Sequence, residues 1–486
     1  MNVTFVYPDI EGVARYGARK YCHGLGYLSA VLRAAGHETS LLYLQVEPTR
    51  EEFLSELQAR HPDLVGFSST THQHPYVERC AAWIKEAMPE VRTVSGGTHP
   101  TLVPDQVIQN PALDFVCVGE GEYAFLDLVE RLAAGEKATN IAGIWAREGG
   151  QVVRNPLRPL IQDLGQLPFP DRELFGFGEI LRQNGGWVDL MAGRGCPYQC
   201  SYCCNPGLQK RFKGLGRYVR YRPVENILAE LRDLRGRYDL RILNFQDDVF
   251  TLDRDWLLEF CDRYPTEFSL PFWINTRVER ITDEAVVEAL AHAHCQGVRI
   301  GLESGNEGLR REILKRRMSN EEIRVAFRLL RKHALQTYTC NMLGVPGETA
   351  EMIQETIDLN RELAPDHFQF SVFHPYPMTE LYDTSVQEGY YDPHQVLPTY
   401  YSRQSVLNLP TLSREELEQG YDKFVELRRE LEMRRRSPWK WRIYDFLRRH
   451  AYRGDALRLR RHLNALGRLR ARLRDCRVRE PRSSTP

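Results

Sequence analysis

The sequence predicts an α/β fold of two successive parallel-sheet units followed by a helical C-terminal region. Three observations carry this reading. Strand-like and helix-like runs alternate in two series, a Pro-rich stretch without periodicity separates them, and beyond Glu388 the patterns are helical. At 486 residues the chain is too long for one ordinary core. A hydrophobic fraction of 42% with 27% charged residues belongs to a globular chain, not a disordered one.

In residues 1–140 the strand candidates are "NVTFVYP", "ETSLLYL", "LVGFSST", "RTVSGG" and "DFVCVGE", separated by helical runs such as "GYLSAVLRAAG". Five such units read as an open, doubly wound, Rossmann-like sheet. Ligands of such sheets bind beyond the carboxyl ends of the strands. Those ends are Pro8, Ser68 to Thr71, "SGGTHP" from Ser95 and "GEGE" from Gly119. The first strand-to-helix turn lacks G-x-G-x-x-G, so a dinucleotide fits poorly. Residues 141–186 hold a hairpin candidate turning at Gly149 and Gly150, then the aperiodic linker "DLGQLPFPDRELF".

Between 187 and 387 six strand candidates follow: "VDLMAGR", "RILNFQDD", "FWINTRV", "GVRIGLES", "YTCNMLG" and "HFQFSVFH". Six βα units suit a partial TIM-type (β/α)6 barrel, with its site at the carboxyl strand ends. Those ends carry Arg194 with a cysteine group, Asp247, Asp248, Asn275, Arg277, Glu303, Gly344 and His374. A polar ring over an apolar barrel is a binding site. Residues 388–486 read as helices.

The stretch "GRGCPYQCSYCCNP" sets Cys196, Cys200 and Cys203 at C-x3-C-x2-C, with Cys204 immediately after. A four-cysteine zinc site normally uses two separated C-x2-C hooks, and this chain has no second one. Three thiolates on a four-iron cluster leave one iron open for another ligand, which suits catalysis. Cys204 is expected to stand apart, since adjacent residues point their side chains away from each other. With Tyr202 before the last cysteine, the loop resembles that of the radical S-adenosylmethionine (SAM) superfamily. The resemblance implies a [4Fe-4S] cluster on Cys196, Cys200 and Cys203 that binds SAM and splits it to a 5′-deoxyadenosyl radical. It further implies SAM contacts from Tyr202 (adenine), Asp247 or Asp248 (amino group), Arg277 (carboxylate, bidentate), Glu303 (ribose) and Gly344 in "GVPGET" (beside adenine). The family more often has Gly-Gly-Glu where this chain has "FQDD".

The first region resembles the cobalamin-binding domain that precedes the barrel in one large radical SAM class, through "GFSST", "SGGTHPTLVPD" and "VGEGEYAFLDLV". That resemblance implies a cobalamin whose nucleotide tail lies near Ser69, Thr71, Gly96, Gly97, Gly119 and Glu120. Gly96 and Gly97 would let backbone approach the ligand, and Ser69 and Thr71 would bond its tail. No D-x-H-x-x-G supplies a histidine to cobalt, so His72, His74 and His99 are expected to be polar loop residues. Radical SAM methylthiotransferases place further cluster cysteines in this region. Here Cys80 and Cys117 fall on apolar faces and, with Cys22, do not form that set.

The implied function is C-methylation of an unactivated carbon in a small natural product or lipid precursor, through methylcobalamin and the 5′-deoxyadenosyl radical. The alternatives are a cobalamin-dependent oxidative cyclase or rearrangement enzyme and, in another class, a non-enzymatic cobalamin- or zinc-binding protein. A low-potential electron donor of flavodoxin or ferredoxin type would serve the cluster. His374 and Tyr376 in "FHPYP" are candidate substrate-side groups. No apolar run approaches a membrane span and the N-terminus enters a strand directly, so a cytoplasmic protein is expected. Nothing upstream reads as a nucleic-acid surface. From Arg434 onward 18 Lys and Arg face 4 Asp and Glu. Leu457, Leu459, Leu463, Leu466, Leu469 and Leu473 form a helical stripe there, which suits either packing on the barrel or contact with an anionic membrane.

Overall fold

The computed structural model describes residues 1–395, 399, 402–451, 458–459 and 462–464. Five parallel strands form the first sheet: β1 (Asn2–Pro8), β2 (Glu38–Leu44), β3 (Leu64–Ser68), β4 (Arg92–Gly96) and β5 (Phe115–Cys117). The hairpin β6 (Ile144–Glu148) and β7 (Gln151–Val153) turns at Gly149 and Gly150, both at positive φ, and pairs antiparallel onto β5. The order is β2-β1-β3-β4-β5-β6-β7, reversing direction after β1 as a doubly wound sheet does. The hairpin therefore extends the first sheet.

The second sheet is parallel throughout, in the order β15-β14-β13-β12-β11-β8. Its strands are β8 (Trp187–Leu190), β11 (Ile242–Phe245), β12 (Phe272–Thr276), β13 (Cys295–Glu303), β14 (Gln336–Leu343) and β15 (His367–Val372). All six overlap the runs expected from the sequence, with β8, β13 and β14 starting one or two residues earlier. Between β8 and β11 a short antiparallel ribbon, β9 (Gly193–Arg194) with β10 (Arg220–Tyr221), brackets the cysteine loop. Helix Arg414–Arg436 starts with a Ser413–Glu416 capping box. It lays Leu417, Phe424, Leu427 and Leu431 against Phe368 and Val372 of β15 and Ile353 and Ile357 of the preceding helix. Helix Pro438–His450 folds back on it, Tyr444 donating to Glu426 at 2.9 Å. Among the described residues no helix is long and apolar enough to cross a membrane.

The linker is not a loose tether. Phe175, Phe177, Ile180 and Leu181 join one apolar core that also contains Val3 and Phe5 of the first sheet and Leu190 and Phe245 of the second. Arg172, almost wholly buried, donates to Glu230 at 2.9 Å and to the Asp189 carbonyl at 2.9 Å. Arg222 reaches the other Glu230 oxygen at 2.5 Å. Of the leucine stripe, Leu459 is buried and Leu463 is exposed. Leu457, Leu466, Leu469 and Leu473 lie outside the described residues.

Candidate active site

The cysteine loop leaves the barrel at the carboxyl end of β8. Just beyond β11, the Asp247 carboxylate accepts the amides of Ala192 at 3.0 Å and Gly193 at 2.5 Å, fixing where β8 hands over to the loop. Burial pushes Asp247 up to about 7, against the pull of those amides. Asp248 instead accepts from Asn205 Nδ2 at 3.1 Å, and Asn205 Nδ2 also lies 3.6 Å from Cys203 Sγ. Of the two aspartates, Asp248 stands on the cysteine side and Asp247 belongs to the scaffold.

Cys196 and Cys200 are buried; Cys203 and Cys204 are half-buried. Arg277 Nη1 donates to Cys200 Sγ at 3.2 Å, and Arg316 Nη1 reaches the same sulfur at 4.0 Å. Cys203 caps helix Cys204–Arg211, accepting from the Asn205 amide at 3.5 Å. Cys204 does not point away as expected. The neighbouring Cys204 thiol and the Asn205 donors bring Cys203 down to about 6 against the opposing effect of burial.

Among the described residues no three His, Cys, Asp or Glu side chains stand close enough to hold a single ion. Cluster thiolates bind three different irons of a cube and so stand wider apart than ligands of one ion, and three free thiols on one loop are that donor set.

Tyr202 and Glu303 meet above this loop. Tyr202 Oη donates to Glu303 Oε1 at 3.0 Å, and Arg316 donates to Tyr202 Oη at 3.1 Å and pairs with Glu303 at 3.8 Å. Burial raises the Glu303 carboxyl while Arg316 opposes it. Glu303 ends β13 in the left-handed region, φ +67, where a register shift re-aims the strand end. Arg277 lies 3.8 Å over the Tyr198 ring, with Nη2 donating to Glu279 at 2.6 Å. Each Nη thus has one protein acceptor and keeps a second N–H, and the buried Nε has no partner among the described residues. Gly344 takes φ +80, gives its amide to Glu348 Oε2 at 2.6 Å, and abuts Leu417, which a Cβ would meet at 3.2 Å. The turn "GVPGET" is held from inside by its own Glu348. Arg316, Asn205 and Tyr198 were not singled out in the sequence; Asn205 follows the cysteines directly, but no periodicity or spacing marks Arg316.

A cavity of about 340 Å³ opens at the carboxyl ends of β3, β4 and β5. Gly66, Ser68, Gly96, Gly97 and Gly119 give it a wall almost without side chains, and Phe5, Val94 and Phe125 floor it. Its size and apolar character are those of a small-molecule site. Gly97, φ +97, is required by its own chain: a Cβ would meet the Ser69 backbone at 2.9 Å. Gly119, φ +105, would strike Phe212 at 3.1 Å. Ser69, one residue beyond β3, does not line this cavity, whereas Ser68 does. Ser69 Oγ lies 3.4 Å from His74 Nδ1, and Thr71 Oγ1 lies 3.2 Å from His99 Nδ1 beside a second, larger cavity. Burial pushes His74 down to about 3 and His99 to about 4, so both are neutral. His72 meets Tyr376 Oη at 3.0 Å, joining a first-sheet loop to the end of β15. Cys80 and Cys117 are buried in two different apolar cores.

The two sites share a wall. Arg194 and Gly195, immediately before Cys196, line the glycine cavity together with Tyr218 and Phe212. Arg194 donates to Glu120 at 2.9 Å and Glu122 at 2.5 Å; Arg220 donates to the other Glu120 oxygen at 2.9 Å, and the Ile161 amide joins it at 2.8 Å. Both Glu120 oxygens are thereby engaged, so Glu120 ties the cavity rim to the cysteine loop. A family model described as B12 binding domain matches residues 13–129, and one described as Radical SAM superfamily matches residues 190–359. The chain carries a B12-binding domain ahead of a radical SAM domain. It is an enzyme whose cofactors are a [4Fe-4S] cluster, SAM and cobalamin. Relatives of this radical SAM chain include an uncharacterised methyltransferase of Pyrococcus horikoshii, 28% identical over 79% of this chain and 83% of its own. The anaerobic magnesium-protoporphyrin IX monomethyl ester cyclase of Rubrivivax gelatinosus is 27% identical over 79% of this chain and 69% of its own. The structure of the radical SAM methyltransferase TsrM of Kitasatospora setae, with cobalamin and a [4Fe-4S] cluster bound, shares the fold at a TM-score of 0.64 and 19% identity, covering 86% of this chain and 84% of that one.

Proposed function

We propose that this enzyme is a cobalamin-dependent C-methyltransferase acting on an unactivated carbon of a small natural product or lipid precursor. The observation that carries it is the shared wall: the segment leading into Cys196 also bounds the glycine-lined cavity, so a group in that cavity faces the cysteine loop directly. When bound, the cofactors supply reductive cleavage of SAM and a transferable methyl group.

Residues 1–140 hold the cobalamin in this reading, 187–387 the cluster and SAM, and 141–186 join them. Cys196, Cys200 and Cys203 ligate iron. Asp248 receives the SAM amino group, Glu303 with Tyr202 the ribose and adenine side, and the Arg277 Nε edge its carboxylate. Gly344 shapes the turn beside adenine. Gly66, Ser68, Gly96, Gly97 and Gly119 bound the cobalamin tail, and Ser69 and Thr71 hold the loop above it. Glu120 positions the two sites relative to each other. A flavodoxin or ferredoxin delivers the electron, and the basic segment after Arg434 makes a peripheral membrane contact in a cytoplasmic enzyme.

The similarity to a ring-forming cyclase supports a second reading, radical cyclisation without methyl transfer. Anaerobic reconstitution with iron, sulfide and cobalamin, then reduction in the presence of SAM, tests both. Methyl transfer yields 5′-deoxyadenosine together with S-adenosylhomocysteine once substrate is supplied. 5′-Deoxyadenosine alone favours the cyclase, and zinc without iron or SAM cleavage ends the enzyme reading.

A further inference from the structure

Helix Pro438–His450 carries a face that the barrel chemistry does not use. Trp439, Ile443 and Phe446 are 63%, 54% and 60% exposed, among the most exposed large apolar side chains of the described residues. Their spacing of four and three puts them on one helical stripe, opposite Tyr444, which is buried against helix Arg414–Arg436. A soluble helix normally turns such a stripe inward; this one turns Tyr444 and Arg448 inward instead. Cations flank the stripe on both sides. Lys440 lies 5.4 Å from the Trp439 ring, Arg442 is exposed on the other flank, and Arg434, Arg435 and Arg436 stand exposed just before the helix.

We propose that this face is a docking surface for an anionic lipid bilayer. An aromatic and aliphatic stripe bordered by Lys and Arg is the arrangement of a helix lying in the membrane interface. Trp is suited to the headgroup level, and long cationic side chains reach outward to phosphates. The charge balance selects this occupant: from Arg434 onward the chain has 18 basic and 4 acidic residues, a surplus that anionic lipid complements. This inference deepens the membrane contact proposed above and assigns it to Trp439, Ile443 and Phe446. It does not depend on the cofactor chemistry.

Full-length holoenzyme is sedimented with vesicles of phosphatidylcholine alone and of phosphatidylcholine mixed with phosphatidylglycerol. The wild type is expected to pellet with the anionic vesicles and to be released by salt. The triple variant Trp439→Ser, Ile443→Ser, Phe446→Ser should lose about tenfold or more in partitioning, and Lys440→Gln with Arg442→Gln should lose the preference for anionic lipid. Unchanged reductive SAM cleavage by the variants establishes that they fold, so failure of docking and failure of the proposed chemistry are read separately. A wild type that stays in the supernatant with both vesicles overturns the proposal, and a dimer in size exclusion would then name a second copy as the occupant. Equal pelleting of the triple variant and the wild type overturns it as well.

Discussion

Adjacent thiols with different tasks meet at Cys203 and Cys204. Cys200 receives Arg277 at 3.2 Å, whereas Cys204 is the first residue of helix Cys204–Arg211. Cys200→Ala is therefore expected to lose bound iron and SAM cleavage, while Cys204→Ala keeps both; iron analysis and 5′-deoxyadenosine yield measure this, and equal loss would contradict a three-cysteine cluster. The aspartate pair separates in the same way. Asp248→Asn should weaken SAM binding with little change in melting temperature, whereas Asp247→Asn, which disturbs the paired acceptors of the Ala192 and Gly193 amides, should lower stability by about 1–3 kcal/mol. Calorimetry and SAM titration distinguish the two. The cysteines were legible in the sequence because their spacing is itself the donor geometry. Arg316 was not, since a loop arginine announces nothing until the fold carries it to Tyr202 and Glu303.

Among the elements, the six barrel strands were legible because buried parallel strands are short apolar runs between amphipathic helices. Ser68 lines the glycine cavity and Ser69 does not, a one-residue difference at a strand end that no spacing in the sequence marks. The turn after β14 shows what a short motif conceals. Glu348 in "GVPGET" is fully buried, accepts the amides of Gly344 and Val345, and leaves Oε1 without a partner. Burial outweighs those amides and raises its carboxyl from 4.5 to about 8. A carboxyl raised on folding favours the protonated form. Its stabilisation is complete below about 4.5 and is lost as pH rises through about 8. Glu348→Gln keeps an oxygen acceptor and removes the titration. Melting temperatures across pH 5 to 9 should fall less steeply in the variant than in the wild type, and parallel curves would exclude Glu348 as the source.

At the scale of the whole molecule, the stretch that reads as a linker is the joint of the structure. Pro-rich composition without periodicity resembles a tether, yet its side chains enter the same core as both sheets. Burial alone would raise Glu230, but Arg222 and Arg172 hold it at about 2, so their contribution is present above about 4.5 and lost as pH falls toward 2. Arg172 also lies 4.2 Å over the Tyr21 ring of the first unit and 4.7 Å over Phe177 of the linker, so one guanidinium touches the first unit, the linker and the barrel. A continuous core with a buried ionic joint predicts one cooperative thermal transition for the described body, not one per sheet. Arg172→Met should lower stability by about 3–5 kcal/mol, because Glu230 stays buried with one partner fewer. The loss should shift the whole endotherm and appear equally in probes of either sheet. Arg172→Met combined with Glu230→Leu should recover part of it, since the buried carboxylate is gone and Arg222 keeps Asn226 Oδ1 and the Met191 carbonyl as acceptors. Two separate endotherms, only one of them moved by Arg172→Met, would make the linker a tether after all. The glycine cavity and the cysteine loop would then have no fixed separation, contrary to the wall they share.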